Sequence, residues 1–248
     1  MSTPLHKTPG IVLRAVKYGE SSLILTVFTE LFGLQSYMVS GVRSSSKTAM
    51  GKVQYFQPAA NLDLVVYHNE LKHLNRIREY QWHRIYKNLF SDVPRNTVAL
   101  FMVELLTKCL KQPESNPELY YFVEDILKEL DQSSETVMAN LPLFFALQLS
   151  HFFGFRIDDN YSESNNILDL QEGCFTREKP FHPYFAEDKA AYVCSQLLKV
   201  MQVKELEEIK LNGNFRRQLL QQLEHFYAIH IPEFGTMKTL PVLRAILG

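Results

Sequence analysis

Ile11-Val-Leu-Arg-Ala-Val-Lys-Tyr18, Gly19-Glu20-Ser21 and Leu23-Ile-Leu-Thr-Val-Phe-Thr29 stand in succession near the start of the chain. The first run is apolar and β-branched, the triplet is a turn signal, and the second run alternates, with Leu23, Leu25 and Val27 on one face. That pattern predicts two strands joined by a tight turn. Glu30-Leu31-Phe32-Gly33 turns the chain again, and Leu34 to Gly41 reads as a third strand. Thr48 to Gln57 reads as a short helix or irregular connection that Pro58 ends, after which Leu62, Leu64 and Val66 alternate as strand four. A fifth strand follows a turn at Tyr67-His68-Asn69-Glu70. Its alternation puts Lys72, Leu74, Arg76 and Arg78 on one face and Leu71, His73, Asn75 and Ile77 on the other. Five strands with an insert between the third and fourth fit a small β-barrel of the OB type, an SH3-like barrel being the nearest competitor.

From Trp82 onward the period becomes helical. Val98, Phe101, Leu105 and Cys109 fall on one stripe. Leu119, Phe122, Val123, Ile126, Leu127 and Leu130 form a second, introduced by Asn116 as cap and Pro117 in the first turn. A third helix is predicted over Val137 to Gly154, and further helices over Glu187 to Val203, Asn212 to Ile231 and Leu240 to Leu247. The stretch from Phe155 to Pro183 lacks a period and is rich in Asn, Asp, Ser and Gly. The fold class that follows is α+β in two domains: an OB-type barrel over residues 1–80, and a helical domain over 81–248 with an irregular excursion at about 155–186.

Charge is uneven along this frame. The whole chain holds 26 Lys and Arg against 27 Asp and Glu, a net charge of −1. Residues 1–80 hold Lys7, Arg14, Lys17, Arg43, Lys47, Lys52, Lys72, Arg76 and Arg78 against Glu20, Glu30, Asp63, Glu70 and Glu79, so the remainder is acidic. A basic leading module on an acidic scaffold is what a nucleic-acid binder presents, although a two-domain adaptor whose barrel binds peptides shares that balance. The Gly41-Val42-Arg43-Ser44-Ser45-Ser46-Lys47 stretch is basic and holds no acid, and with the Lys72/Arg76/Arg78 face it offers cations for phosphates. Tyr37 and Tyr67 lie near enough in sequence to supply stacking faces for bases. Ordinary solvated charges guarding strand edges are the competing account.

The chain carries no G-x-x-x-x-G-K-S/T loop, no G-x-G-x-x-G after a strand, no H-E-x-x-H and no G-x-S-x-G, which lowers the expectation of the common nucleotide-dependent and hydrolytic enzymes. Cys109, Cys174 and Cys194 contain no C-x-x-C pair, which speaks against a disulfide framework and for a reducing compartment. Cys174, His182 and Cys194 with Asp169 or Glu172 are the one candidate zinc set, with spacing that fits no common knuckle. His151 reads as a core or surface residue rather than a catalyst. No signal peptide or uncharged apolar run of about 20 residues stands out, so a soluble cytoplasmic protein is expected.

The opening from Gly10 to Lys47 resembles the bacterial RecO family: a Gly-led apolar strand, a Y-G-E-S turn, an alternating strand ending in Thr, a glycine turn and a G-x-R-x-S loop. Phe56-Gln57-Pro58, Phe153-Gly154-Phe155 and the closing Lys238-Thr-Leu-Pro-Val-Leu-Arg-Ala-Ile-Leu247 resemble later parts of the same family. The resemblance implies a non-enzymatic DNA repair and recombination mediator of the RecF pathway. Such a protein binds single- and double-stranded DNA, anneals complementary strands and, with RecR, helps load RecA onto strands coated by single-strand-binding protein. It implies that Arg14, Lys17, Arg43, Lys47, Lys52, Lys72, Arg76 and Arg78 contact phosphates, with a nucleoid-associated cytoplasmic location. It also implies that the helical domain takes the acidic, phenylalanine-ended tail of single-strand-binding protein in an apolar pocket with a basic rim. Many RecO proteins carry two C-x-x-C zinc pairs after the F-G-x element. Here only the unpaired Cys174 and Cys194 stand in that region, implying a degenerate zinc finger in which packing replaces the metal, and no cofactor.

Overall fold

The computed structural model describes residues 4–43 and 51–247. It opens with a closed five-stranded barrel in the order β1-β2-β3-β5-β4, built from β1 (Leu5–Tyr18), β2 (Ser22–Thr29), β3 (Gly33–Val39), β4 (Asn61–Tyr67) and β5 (Asn75–Arg84). The ladders are antiparallel except for β3 with β5, a parallel join of Tyr37 with Asn75 and Met38 with Arg76. β1 is long because it serves two neighbours: residues 5–11 pair with β4, and 10–18 pair with β2. A bulge between Val12 and Arg14 re-aims its second half, and every side chain from Arg14 to Tyr18 is exposed.

Leu25, Val27, Tyr37, Leu62, Leu64 and Val66 alternate inward and are buried, the period-2 pattern expected of strands with one face in a core. A single 3-10 turn at Lys52–Phe56 lies against the far half of β5, with Tyr55 stacked on Trp82 at 4.6 Å and Phe56 edge-on to Tyr80 at 4.8 Å. The helical period read from Trp82 is therefore corrected. β5 stays paired with β4 as far as Asn61 opposite Arg84, because Tyr80 and Trp82 sit on alternate positions that this aromatic packing partly covers. Lys72 lies before β5, which begins at Asn75, so it is not on the strand.

Residues 110–128 belong to the same compact unit as the barrel, which includes residues up to Lys87, while residues 88–109 and 129 onward form the other. Within the barrel unit the first three turns of α2 (Pro117–Gln132) meet the end of β2 at Phe28 and the start of β4 at Asn61. Tyr120 donates to Asn61 Oδ1 at 2.9 Å, Asn61 Nδ2 donates to Glu124 at 2.8 Å, and Phe28 packs on Tyr120 with ring centroids 5.9 Å apart. His83 bridges Asp63 and Glu124 at 2.7 and 2.9 Å. Gly33 has φ +60, and a β-carbon there would stand 2.0 Å from the Glu114 carbonyl oxygen, so only glycine fits where the 110–116 connector meets β3.

The second unit holds α1 (Val93–Cys109), α3 (Glu135–Leu149), α4 (Asp188–Leu198), α5 (Gly213–His230) and α6 (Thr239–Ile246). α3 is its axis, with α1, α4 and α5 packed around it and α6 against α1. Ser134 caps α3, Asn212 caps α5, and a left-handed Gly154 ends the 3-10 turn that follows α3. Residues 135–153 are long and apolar enough to cross a bilayer, contrary to the sequence reading, yet most of the segment is buried as the core helix of this unit. The excursion carries a small sheet ordered β7-β6-β8, from β6 (Ile167–Asp169), β7 (Cys174–Thr176) and β8 (Phe185–Ala186).

Candidate nucleic-acid interface

Ladder register decides which barrel cations share a surface, since directly paired residues point the same way. Val16, Ile24, Met38 and Arg76 lie across β1, β2, β3 and β5 on one rung, and Tyr67 of β4 pairs with Arg76 at its end. The next rung runs Arg14, Thr26 and Ser36. On β2, β3, β4 and β5 these alternate with buried interior residues, and on β1 Arg14 and Val16 pair with the outward Thr26 and Ile24, so they face outward: two guanidinium groups at the margins, an apolar strip between them, and the phenol of Tyr67 beside Arg76. At about 4.8 Å per strand, Arg14 and Arg76 start roughly 15 Å apart. Tyr18, on the same side of β1 as Arg14 and Val16, is half exposed and adds a second ring that the sequence did not single out.

Two loops adjoin this face. Arg43 is held at the β1–β2 turn, its backbone N–H donating to Ser21 O at 3.0 Å and its Nη1 to Gly19 O at 3.1 Å. Lys72 stands in the β4–β5 loop, which side-chain amides shape: Asn75 Oδ1 accepts from Asn69 N, and Asn69 Oδ1 accepts from Leu71 N. Arg14, Arg43, Lys72 and Arg76 are thus brought to one side of the barrel.

The other expected contacts are dispersed. Lys17 alternates to the side opposite Arg14, on the rung of the buried Leu23. Lys52 begins the 3-10 turn that packs on Trp82, six residues along β5 from Arg76. Arg78 falls in the bulge of β5 and pairs with Glu79 at 3.1 Å, both side chains being largely exposed. Lys47 lies outside the described residues. Tyr37 is corrected outright: it is fully buried inside the barrel, where burial pushes its phenol well above the ordinary range, and it offers no stacking face.

Between the β3 edge, the β4–β5 loop and the 110–116 connector lies a cavity of about 650 Å³. Thr26 and Ser36 of the second rung form part of its wall, so the outward face runs into it. Phe32 and His68 stack there at 3.7 Å with His6 edge-on to Phe32 at 5.2 Å, and Lys72 and Lys111 are exposed at its border. Lys111, His68 and Phe32 carried no signal in the sequence, because the connector that completes the cavity returns to the barrel from far along the chain.

The residues of the candidate zinc set are not gathered at one point. Cys194 is fully buried on α4, and burial pushes its thiol up to about 12. Cys174 pairs across the sheet with Asp169, and its thiol is raised by burial and by the Asp169 and Glu172 charges. Asp169 is occupied as a turn acceptor for Gln171 N and Glu172 N and by His182 at 3.3 Å. Among the described residues no three ligand-type side chains converge. His151 is exposed, with partial burial and Arg156 holding it below the ordinary histidine range.

In the helical unit a cavity of about 770 Å³ has Met138, Leu211 and Ile246 in its wall and Lys189, Lys210 and Arg216 around it. Arg216 donates to Leu211 O at 2.7 Å, while its Nε is buried with no hydrogen-bond partner among the described residues.

A family profile described as Recombination protein O N terminal matches residues 1–86, and one described as Recombination protein O C terminal matches residues 91–239. The chain is similar to the DNA repair protein RecO of Flavobacterium psychrophilum, 30% identical over 242 residues, covering 98% of this chain and 99% of that protein. It is also similar to the proteins of the same name from Azobacteroides pseudotrichonymphae, 26% identical over 242 residues, and Bacteroides fragilis, 28% identical over 245, each match covering 98% of this chain and 99% of the relative.

Proposed function

Because the chain belongs to the RecO family of DNA repair proteins, we propose that it binds DNA on the outer face of its barrel and anneals complementary strands without chemistry of its own. The observation that carries this reading is the pair of adjacent rungs in which Arg14 and Arg76 flank Val16, Ile24 and Met38, with Arg43 and Lys72 on the bordering loops. Cations at both margins hold the sugar-phosphate backbone, and the apolar strip with Tyr67 and Tyr18 gives unstacked bases somewhere to lie. Annealing follows from neutralising phosphates on two strands while leaving base edges open to pair.

The helical cavity supports a partner reading within this function. An acidic tail ending in an aromatic residue, as single-strand-binding protein carries, would seat its ring on Met138, Leu211 and Ile246 and its carboxylates on Lys189 and Lys210. The protein would thereby reach strands already coated, and cooperation with RecR in loading RecA is the step this prepares.

The test is ATP-free annealing of complementary oligonucleotides. The protein should accelerate it, and the triple reversal Arg14→Glu, Arg43→Glu, Arg76→Glu should abolish the acceleration. Absence of DNA affinity even at low salt would return the barrel to a peptide-binding role, and full annealing by the triple variant would remove the site.

A further inference from the structure

The cavity beside β3 is unexplained by phosphate contacts alone. Its wall mixes apolar surface from Leu31, Phe32, Leu34 and Pro113 with the polar edges of Gln35 and Ser36, a combination that fits a flat heterocycle better than a phosphate. Leu34–Ser36 of β3 have no ladder partner on this side among the described residues, since its join to β5 begins at Tyr37. His68 lines the cavity with little exposure, its ring stacked on Phe32. Lys72 and Lys111 supply charge at the border, and Thr26 and Ser36 connect the cavity to the Arg14 rung.

We propose that this cavity is a nucleotide subsite, taking one unstacked nucleotide of a single strand, with the base against the apolar wall and His68 and its phosphate at Lys72 and Lys111. The site rests on the DNA-binding reading above and deepens it: a strand crossing the outer face would turn one base aside here. Duplex DNA, whose bases are paired and stacked, cannot use it. The subsite therefore gives the barrel a preference for single strands that its cations alone, which treat every phosphate alike, do not confer.

Two variants test it. Ser36→Trp fills the cavity from an outward position on β3, and Lys72→Ala with Lys111→Ala removes only exposed charge. Binding is read by anisotropy on an unstructured oligonucleotide and on a duplex of equal length, with 2-aminopurine placed at successive positions in the single strand. Ser36→Trp should weaken single-strand binding about tenfold, the contribution of one stacked base, weaken duplex binding by a clearly smaller factor because Ser36 also lies on the outer face, and abolish the 2-aminopurine change that the native protein produces. The double alanine variant, whose changes lie at exposed side chains, should weaken single-strand binding more than duplex binding. Native-like single-strand binding and an unchanged 2-aminopurine signal in Ser36→Trp would overturn the subsite while leaving the DNA-binding face intact. Loss of affinity for an acidic phenylalanine-ended peptide, with nucleotide binding untouched, would also overturn it by assigning the cavity to a peptide. Absence of any DNA binding by the native protein would instead sink the reading on which the subsite rests.

Discussion

Replacing Arg14 and Arg76 together with alanine removes the two marginal cations of the outer face, and the salt dependence of binding measures what they did. Arg14, Arg43, Lys72 and Arg76 are the cations gathered on this side. If each neutralises one phosphate, the slope of log affinity against log salt on a single strand is about −2.8, and affinity falls roughly 50-fold between about 50 and 200 mM salt. The double variant should retain a slope of about −1.4 and lose only roughly sevenfold over the same range. Both side chains are exposed on strand surfaces, so the melting temperature should not move. The assay is anisotropy titration of a labelled unstructured oligonucleotide at several salt concentrations. A variant that keeps the native slope refutes the assignment, because lost phosphate contacts must release fewer counterions. The same change in Lys52→Ala, a cation on the 3-10 turn packed against Trp82, should leave the slope native.

Three further outcomes follow from the barrel and the buried thiol. Gly33→Ala must adopt φ +60 and meet the Glu114 carbonyl at 2.0 Å, so thermal unfolding should begin several degrees lower; the left-handed backbone alone costs about 1–3 kcal/mol. Tyr120→Phe leaves Asn61 Oδ1 buried without its donor at 2.9 Å and should cost about 1–3 kcal/mol in urea unfolding, whereas Tyr121→Phe, at an exposed contact with Glu30, should leave the midpoint unmoved. Burial raises the Cys194 thiol to about 12 from its ordinary 9.0, so folding favours the protonated form. The stability it contributes is complete below about pH 8.5 and is lost as pH rises toward 12. Urea midpoints at neutral pH and near pH 10.5 should fall less in Cys194→Ala than in the native chain.

The barrel was legible because its information is local. Alternation at Leu23, Leu25 and Val27 and the turn at Gly19 belong to single strands, and their pattern survives folding unchanged. Tyr37 was misread because inward and outward positions on β3 are fixed by partners on β2 and β5, not by composition: a tyrosine on a strand looks alike on either face. Lys72 and Trp82 were misplaced at the two ends of β5, where strand limits depend on β4 pairing and on Tyr55 stacking from an insert. The docking of residues 110–128 on the barrel left no periodic trace, since α2 shows only that it has an apolar face, not which surface that face meets. Lys111 and Pro113 therefore entered the candidate site only through the three-dimensional arrangement.

The short parallel join between β3 and β5 has one more consequence. Two residue pairs close the cylinder there, against seven or eight along each of its other seams. A clasp that short can be undone by giving up a few hydrogen bonds, while the rest of the ring stays laced, so amide exchange near Tyr37 and Met38 should be the fastest within the strands. Beside the clasp, Leu34–Ser36 have no ladder partner on that flank among the described residues and present main-chain donors and acceptors to whatever lies along it. Breathing at this seam would widen the mouth next to those groups, letting a flexible polymer thread in sideways instead of requiring a free end.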